Sequence, residues 1–459
     1  MKNKAIGLFL AMLACVPIFV FRAVGNALLT DSDTAVLLKK ITEVNNPWHW
    51  FTHDWPLENH FYRPISTLVF EMDNRLHPGN GDAFGLTNAI ICAICTVLLY
   101  WLLIELKRSI PVAVAGTWLF ASWSLGNWFF GDWWLTIVAW IPVILLLVII
   151  GRMMSDKKFS WQALAVGFAG FFVWSRLASW QINLSSHTLL WLPGRTATTM
   201  TIFALISLAS YARFERLGAP YRTPPQPTPL DPPATRSSTQ DGEPRNVWGW
   251  FVLSCVSCAL ALMTYEQAVM IPTVIFMLGV WFRLNGRQTR FAFQILFWGL
   301  VVAYCVYRVQ IIPVQPSGYQ KQQFRNGPGL WIDTSNYLCP GIFAIMAAIY
   351  SLASGPLILL TSSFWGPIIG FVSNITAWLA IRKRFLKPLV ALLASYFAYL
   401  PMVFLKQFGH YHYFPATLMV LFVITLFEAY WPELITAVSP RAIQAPPRSD
   451  RAPGSLPRL

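Results

Sequence analysis

Residues 84–106 read FGLTNAIICAICTVLLYWLLIEL, and Lys107 and Arg108 follow directly. A helix of about 20 apolar residues spans the hydrocarbon core of a bilayer. The two basic residues mark the end of the run that stays on the cytoplasmic side. This stretch therefore predicts a transmembrane helix whose carboxyl end is cytoplasmic.

The composition extends this prediction to the whole chain, because 56% of its 459 residues are hydrophobic and only 12% are charged. Soluble proteins carry about 25% charged residues. No alternating pattern typical of barrel strands is found. We predict an all-α polytopic membrane protein of about 12 transmembrane helices. The predicted spans are 6–24, 84–106, 110–130, 134–150, 161–179, 196–212, 247–264, 267–282, 291–309, 362–381, 388–405 and 414–432.

The distribution of charge predicts the orientation. The net charge is +14, and the basic clusters fall in alternate loops, which places both termini in the cytoplasm. The basic balance therefore reflects membrane topology and predicts no nucleic-acid partner. The apolar segment 338–360 is predicted not to cross, because a further crossing would move the basic cluster 382–384 to the outer side. The first span is predicted to be a retained helix, with a cleaved signal peptide as the alternative.

One membrane domain is predicted over residues 1–432. Within it, the loop 218–245 is rich in Pro, Ser and Thr and is predicted to be disordered, as is the cytoplasmic tail 433–459. Two Cys-x-x-Cys pairs lie inside predicted spans, where this spacing is more typical of helix packing than of a zinc site.

The unusual polar residues belong to the predicted outer face. The first outer loop, 25–83, is too long for a simple connector, and it contains the acidic pair Asp31 and Asp33 and the sequence Tyr62-Arg63-Pro64. Its segments 35–44 and 64–76 are amphipathic and are predicted to lie along the membrane surface. Further candidates on this face are His187, Arg195, Glu266, Lys321, Arg325, His410 and His412. Each basic side chain has an alternative role as a helix-end anchor, and Glu266 has one as a helix-packing partner of an arginine.

The order of short motifs resembles that of the transmembrane O-mannosyltransferases that carry tetratricopeptide repeats, and more broadly the polytopic GT-C glycosyltransferases. The motifs that carry the resemblance are Asp31-Ser-Asp33, Tyr62-Arg63-Pro64, Phe84-Gly-Leu-Thr-Asn88, His187-Thr188 with Gly194-Arg195, Glu266 with Pro272, and His410-Tyr-His-Tyr-Phe-Pro415. The chain departs from the pattern at Gly85, where the family has His, and at Leu189, Thr196, Ala197, Tyr265 and His410. It also lacks the repeats.

The resemblance implies a GT-C enzyme that transfers mannose or a similar hexose from a polyprenyl phosphate to a hydroxyl of a protein or glycan acceptor outside the cytoplasm. A base would deprotonate the acceptor, and fixed positive charge would stabilise the leaving phosphate. Asp33 is the first candidate for the base and Asp31 the second, since Asp31 is also placed to cap a helix. The candidates for binding donor phosphate and substrate are Arg63, Tyr62, Arg195, His187, Glu266, His410, His412, Lys321 and Arg325. No cofactor is predicted with certainty. A divalent cation is left open, because the acids and histidines show no diagnostic spacing.

The short chain without repeats favours a bacterial inner membrane. Three alternatives remain from the sequence, namely a lipid-linked glycan transporter or flippase, a GT-C-like polymerase or ligase that acts on lipid-linked glycans, and a catalytically inactive GT-C relative. A transporter would typically show two related halves with broken helices near the middle of the membrane, and no such internal repeat is found.

Overall fold

The computed structural model describes residues 2–125, 188–218, 247–325, 330, 386–406 and 408–438. These residues form α-helices and short 3-10 helices, with no β-strand among them beyond one isolated bridge between Phe324 and Leu405. The α-helices are α1 (Lys2–Leu13), α2 (Val16–Val20), α3 (Ser32–Val44), α4 (Pro64–Leu76), α5 (Gly81–Glu105), α6 (Ile110–Leu125), α7 (Arg195–Gly218), α8 (Val247–Leu262), α9 (Ile271–Leu284), α10 (Ile295–Ile311), α11 (Gly318–Gln323), α12 (Leu386–Val403) and α13 (Tyr413–Val438).

Six helical segments are long and apolar enough to cross a membrane: Gly81–Glu105, Leu192–Gly218, Glu266–Leu284, Phe291–Ile311, Leu386–Val403 and Gly409–Glu428. Three shorter apolar helices are Ala5–Val20, Ile110–Ser124 and Val247–Leu262. Each of these nine overlaps a predicted span. The predicted spans 134–150, 161–179 and 362–381 and the segment 338–360 lie outside the described residues. The part of the chain that is described has the architecture of a polytopic helical membrane protein.

The final helix is longer than predicted. Helix α13 continues to Val438, six residues into the range 433–459 that was predicted as a disordered tail. Residues 433–438 read ELITAV and contain no helix breaker, whereas Pro440 disfavours helical backbone at the residue before it. The rest of that range lies outside the described residues, as do residues 219–245 of the predicted disordered loop.

The basic clusters meet at one end of the helices, as their charge pattern predicts. Glu105 at the end of α5 is buried and accepts hydrogen bonds from Arg213, at 3.2 Å, and from Arg216, at 2.7 Å, near the end of α7. At the same end, Arg108 pairs with Glu428 of α13, and the backbone N–H of Arg290 donates to Glu215. These contacts place the predicted outer loops at the opposite end of the same helices.

Helix α4, in the first outer loop, directs its polar face inward. Ser66, Thr67, Glu71 and Asp73 are all buried, whereas Met72 on the other face is exposed. This is the reverse of an amphipathic helix on a soluble protein, where the apolar stripe faces the core. The buried face therefore supplies polar groups to the protein interior, and the outward apolar face suits the predicted location at the membrane surface.

The first outer loop packs closely against the start of α5. The Asp82 carboxylate accepts a hydrogen bond of 2.6 Å from the backbone N–H of Gly25. A Cβ atom added at Gly85 would lie 2.1 Å from the carbonyl oxygen of Ala23. Backbone cannot yield as a flexible side chain would, so this contact requires glycine. The glycine at this position, where the motif that the sequence resembles has histidine, therefore has a local steric reason.

We predict that Gly85→Ala destabilises the protein by about 1–3 kcal/mol, the usual cost of overpacking. The measurement is thermal or denaturant unfolding in detergent. Gly299→Ala is the matched control, because Gly299 also lies in an apolar helix but an added Cβ there meets nothing within 4 Å. The control should be neutral or stabilising, since alanine is the better helix former. Equal effects of the two changes would contradict the close packing.

Candidate functional site

An ion pair between Arg63 and Glu266 joins the first outer loop to the turn before α9. The Arg63 Nε donates to Glu266 Oε2 at 2.8 Å, and Nη2 lies 2.7 Å from the same oxygen. Two bonds from α4 hold this geometry: Ile65 N–H donates to the Met263 carbonyl, and the Ser66 hydroxyl donates to that of Thr264. Pro64 fixes the start of α4 directly after the arginine. Two residues predicted on one face are therefore in direct contact.

Aromatic rings surround the guanidinium of Arg63. Its Cζ lies 4.0 Å from the ring centroid of Phe61, 4.5 Å from that of Tyr265 and 5.1 Å from that of Trp55. Burial disfavours the charged form, but the Glu266 carboxylate and the neighbouring phenols outweigh it, so that the net pKa of Arg63 is raised. The arginine is thus a permanent, rigidly held charge at the edge of the bundle.

The ion pair leaves hydrogen-bonding capacity on both partners. Both contacts of Arg63 go to Oε2, and the second oxygen of Glu266, Oε1, is buried without a hydrogen-bond partner among the described residues. Likewise, Nη1 of Arg63 donates to no described residue. A buried carboxylate oxygen without a partner is costly, and a ligand hydroxyl would satisfy it.

The structure separates the roles of the two acids. Asp31 is the N-cap of α3, where its Oδ2 accepts from the Thr34 N–H at 3.1 Å and the Thr34 hydroxyl at 3.2 Å. The same oxygen also accepts from the indole N–H of Trp191 at 3.2 Å. The alternative that Asp31 caps a helix is therefore confirmed. This carboxylate oxygen is therefore committed to three donors from the protein.

Asp33 lies in the first turn of α3, and its carboxylate makes no hydrogen bond or ion pair with any described residue. Its side chain reaches solvent. Partial burial, together with the negative charge of Asp31, raises the pKa of Asp33 from its ordinary value. A carboxylate without donors and with a raised pKa is suited to accept a proton.

A continuous series of contacts links Asp31 to Arg63. Trp191, which donates to Asp31, has its ring centroid 5.2 Å from that of His410. His410 is buried, and its ring lies 6.2 Å from that of Tyr265, which contacts Arg63. Asp31, Arg63, Glu266 and His410 therefore belong to one site, which we call the outer cluster. Trp191 also belongs to the outer cluster.

Arg195 has a different environment from the one predicted. It is buried at the start of α7, with Nε donating to Asn88 at 2.7 Å, Nη1 to Asp73 at 2.8 Å and Nη2 to the carbonyl of Phe84 at 3.0 Å. Every guanidinium nitrogen thus has a protein partner. The prediction that Arg195 binds donor phosphate is not supported by this arrangement. Its observed role is to connect α4, α5 and α7.

The other predicted residues are dispersed. Tyr62 is buried and donates its hydroxyl to the carbonyl of Phe51 at 3.1 Å, so it supports the loop beneath Arg63. His412 stacks on Tyr399 at 4.4 Å. Arg325 is held through its backbone N–H by the carbonyl of Phe404. Lys321 is exposed on α11 and forms no ion pair within the described part of the chain. His187 lies outside the described residues.

Asp73 is the residue that the sequence analysis missed. It is buried, and besides Arg195 it accepts a hydrogen bond of 2.9 Å from the hydroxyl of Thr87. The signal was available in the pattern of residues 64–76, in which Glu71 and Asp73 lie on the side of the helix away from the apolar residues. A carboxylate on a helix in this setting needs a buried partner, and Arg195 is that partner.

The metal site that the sequence left open finds no support in the described residues. They contain no group of three or more His, Cys, Asp or Glu side chains that could hold a metal ion. Cys92 and Cys95 are free and buried within α5, which agrees with the packing interpretation. No family model, curated protein or solved structure matches the chain. The family resemblance therefore rests on the motifs alone.

We predict that Arg195→Ala destabilises the protein by about 3–5 kcal/mol, because it leaves Asp73 buried and unpaired. Thermal unfolding in detergent measures this loss. Lys39→Ala is the control, because Lys39 forms only an exposed pair with Glu43 at 3.9 Å and should contribute less than about 1 kcal/mol. A variant of Arg195 that is as stable as the wild type but fails to bind a phosphate lipid would restore the original prediction.

Proposed function

We propose that the chain is a membrane glycosyltransferase of the GT-C type. It would transfer mannose or a similar hexose from a polyprenyl-phosphate donor to a hydroxyl of a protein or glycan acceptor. The motif order supports the family, and the meeting of its motifs in the outer cluster supports the site. A single observation carries the proposal. Asp33 is a carboxylate with a raised pKa and no described hydrogen-bond partner, and it lies two residues after Asp31, which a series of contacts links to Arg63.

The proposed topology has twelve spans, with both termini in the cytoplasm of a bacterium and the outer cluster outside its inner membrane. The nine described apolar helices, and the meeting of basic residues at one of their ends, support this orientation. The donor lipid would remain in the bilayer with its phosphate at the level of the outer cluster.

In the proposed reaction, the acceptor oxygen bonds to the anomeric carbon while the bond from that carbon to the phosphate oxygen breaks. Asp33 takes the proton of the acceptor hydroxyl. The electron pair of the broken bond goes to the polyprenyl phosphate, which leaves as a stable anion and needs no strong acid. Arg63 Nη1 is the donor available to that anion, and Glu266 holds the guanidinium in position.

We predict that Asp33→Asn abolishes transfer without loss of folded protein. The assay gives labelled polyprenyl-phosphate mannose and a mixture of acceptors to membranes that contain the protein, and it measures released polyprenyl phosphate. Asp31→Asn is the matched control, because asparagine also caps helices and should preserve α3. It should retain part of the activity. Full activity of Asp33→Asn would exclude Asp33 as the base.

The same membranes distinguish the alternative functions. Movement of a labelled glycolipid between the two leaflets without donor cleavage would favour a flippase. Neither cleavage nor movement, with all acceptors tested, would favour the inactive relative.

We also predict an acidic limb in the pH profile of kcat/KM. Asp33 must be ionised to act as a base, so activity is lost as the pH falls through its raised pKa, above the usual value of about 3.9 for aspartate. Because the charge of Asp31 contributes to the raised pKa, Asp31→Asn should move this limb to lower pH. A limb that stays in place in Asp31→Asn would show that another group controls it.

A further inference from the structure

Four arginines and two glutamates meet at the end of the bundle opposite the outer cluster and take no part in the proposed reaction. The arginines come from the end of α7 and from the turn between α9 and α10, and the glutamates come from the ends of α5 and α7. We call this group the inner cluster, and its members are Arg213, Arg216, Arg287, Arg290, Glu105 and Glu215. Four positive charges against two negative ones give it a formal charge of +2. A cluster with this charge attracts an anion.

The turn that carries two of these arginines is fixed by hydrogen bonds. The Arg287 N–H donates to the Phe282 carbonyl at 3.1 Å, and the Thr289 hydroxyl donates to the Gly279 carbonyl at 3.1 Å. The Arg287 side chain is buried, and its Nη1 donates to the Arg216 carbonyl at 3.4 Å. These bonds join the turn to α7 and α9, so that the arginines have defined positions relative to the helices.

Arg290 is bound on one side and open on the other. Its N–H donates to Glu215 at 3.2 Å, its Nη2 donates to the Gly218 carbonyl, and its Cζ lies 5.4 Å from the ring centroid of Phe214. A Cβ added at Gly218 would lie 3.0 Å from Nη1 and 3.1 Å from both Cζ and Nη2, so the guanidinium covers this glycine. The Nε and Nη1 groups of this half-buried side chain donate to no described residue. A positioned guanidinium with open donors is suited to bind a phosphate.

An exposed apolar surface lies on α8 and α10, which pack together. The ring centroids of Phe251 and Phe297, one from each helix, are 5.9 Å apart. The outward side chains of these two helices are apolar and at least half exposed, and they include Trp248, Val252, Val256, Ile295 and Val302. In a membrane, such a surface contacts acyl chains.

Aromatic rings connect this apolar surface to Arg290. The Trp248 ring centroid lies 5.9 Å from that of Phe214, which Arg290 contacts, and 5.3 Å from that of Phe293. Trp248 is the second residue of α8, and tryptophan is common at the boundary between lipid and water. The open guanidinium and the apolar surface are therefore neighbours at the level of the lipid headgroups.

This combination indicates the chemical class of the ligand. A soluble anion would use the arginines but not the apolar surface, whereas an anionic phospholipid uses both. Basic groups between membrane helices on the cytoplasmic side are suited to anionic headgroups. A zwitterionic phospholipid carries its own cation next to the phosphate, and the formal charge of +2 disfavours it.

We propose that the inner cluster is a binding site for an anionic phospholipid, with Arg290 as the principal phosphate ligand and the acyl chains along α8 and α10. In the predicted orientation this lipid belongs to the cytoplasmic leaflet. The inference does not depend on the proposed transfer reaction, because the site lies at the other end of the helices.

The test is native mass spectrometry of the full-length protein in neutral detergent, with phosphatidylglycerol and phosphatidylcholine of identical acyl chains. The wild type should bind phosphatidylglycerol at least about tenfold more tightly, and Arg290→Gln should remove this preference, since a hydrogen bond to a charged group is lost. Arg283→Gln is the matched control. It removes the same charge at the same end of the bundle, but the exposed Arg283 side chain forms no hydrogen bond or ion pair with a described residue. Equal losses in the two variants would reduce the effect to diffuse attraction and overturn the site.

A second variant tests the geometry without removing a charge. Gly218→Ala places a methyl group against the Arg290 guanidinium and should displace it, while alanine favours the end of α7. We expect it to weaken binding of phosphatidylglycerol and to leave that of phosphatidylcholine unchanged. This variant keeps the test decisive if Arg290→Gln lowers the stability of the protein. Binding of phosphatidylglycerol by Gly218→Ala as tight as that of the wild type would overturn the role of Arg290.

Inorganic phosphate distinguishes the lipid from a soluble anion. At equal concentration it should not displace bound phosphatidylglycerol, because it gains nothing from the apolar surface. Displacement by phosphate alone would show a soluble-anion site and overturn the lipid proposal. Phosphatidylglycerol should also raise the Tm of the wild type more than that of Arg290→Gln, because a ligand stabilises the folded state that binds it.

Discussion

The buried ion pair between Arg195 and Asp73 is the interaction on which the outer half of the molecule depends. Both side chains are almost fully excluded from solvent, in a part of the chain where an unpaired charge has no water to bind. The pair is tolerated because Arg195 also donates to the Asn88 side chain and the Phe84 carbonyl, and Asp73 also accepts from the Thr87 hydroxyl. These bonds fix α4 on α5 and α7. Because Arg63 precedes α4 directly, the position of the proposed phosphate ligand follows from this buried pair.

The two acids of the first outer loop show how local structure divides chemical roles between similar side chains. Asp31 is committed to the N-terminus of α3 and to the indole of Trp191, and in return it fixes Trp191 against His410. Asp33 lies two residues later. The negative charge of Asp31 raises its pKa, but none of the donors that bind Asp31 reaches it. Asp31, as the N-cap of α3, thus positions Trp191 in the outer cluster and also raises the pKa of Asp33.

The sequence predicted the helical class, nine of the described apolar helices and the grouping of basic residues at one end, because hydropathy and charge are properties of the chain itself. It also predicted that Arg63 and Glu266 lie on the same face of the membrane domain, and the structure shows them in contact. It could not separate Arg195 from Arg63, since both precede or begin a helix at the same end. The two arginines differ in the carboxylate that each one meets, Asp73 for Arg195 and Glu266 for Arg63. Which carboxylate lies nearby depends on the orientation of α4, whose polar face is directed inward.

The placement of the segment 312–325 could not be predicted from the sequence for a similar reason. The segment 312–325 is a polar outer loop by composition, and basic residues are the natural candidates for binding a phosphate. The direction of α11 is set by bonds to the carbonyl groups of Asn59 and His60, more than 200 residues earlier in the chain. Only those long-range contacts place the segment beside the loop that carries Arg63.

The charge balance of the outer cluster bears on how such a site would accelerate transfer. Among the described residues of the outer cluster, Asp31 and Glu266 contribute two carboxylates against the guanidinium of Arg63, and Asp33 follows Asp31 with a third. These charges sum to a negative value when Asp33 is ionised. An anionic donor gains little attraction from this arrangement in its ground state. Glycosyl transfer passes through a transition state with oxocarbenium character, in which positive charge develops at the anomeric carbon. A negative site with one fixed cation at the phosphate stabilises that charge separation more than the bound donor, and it is this difference that lowers the barrier.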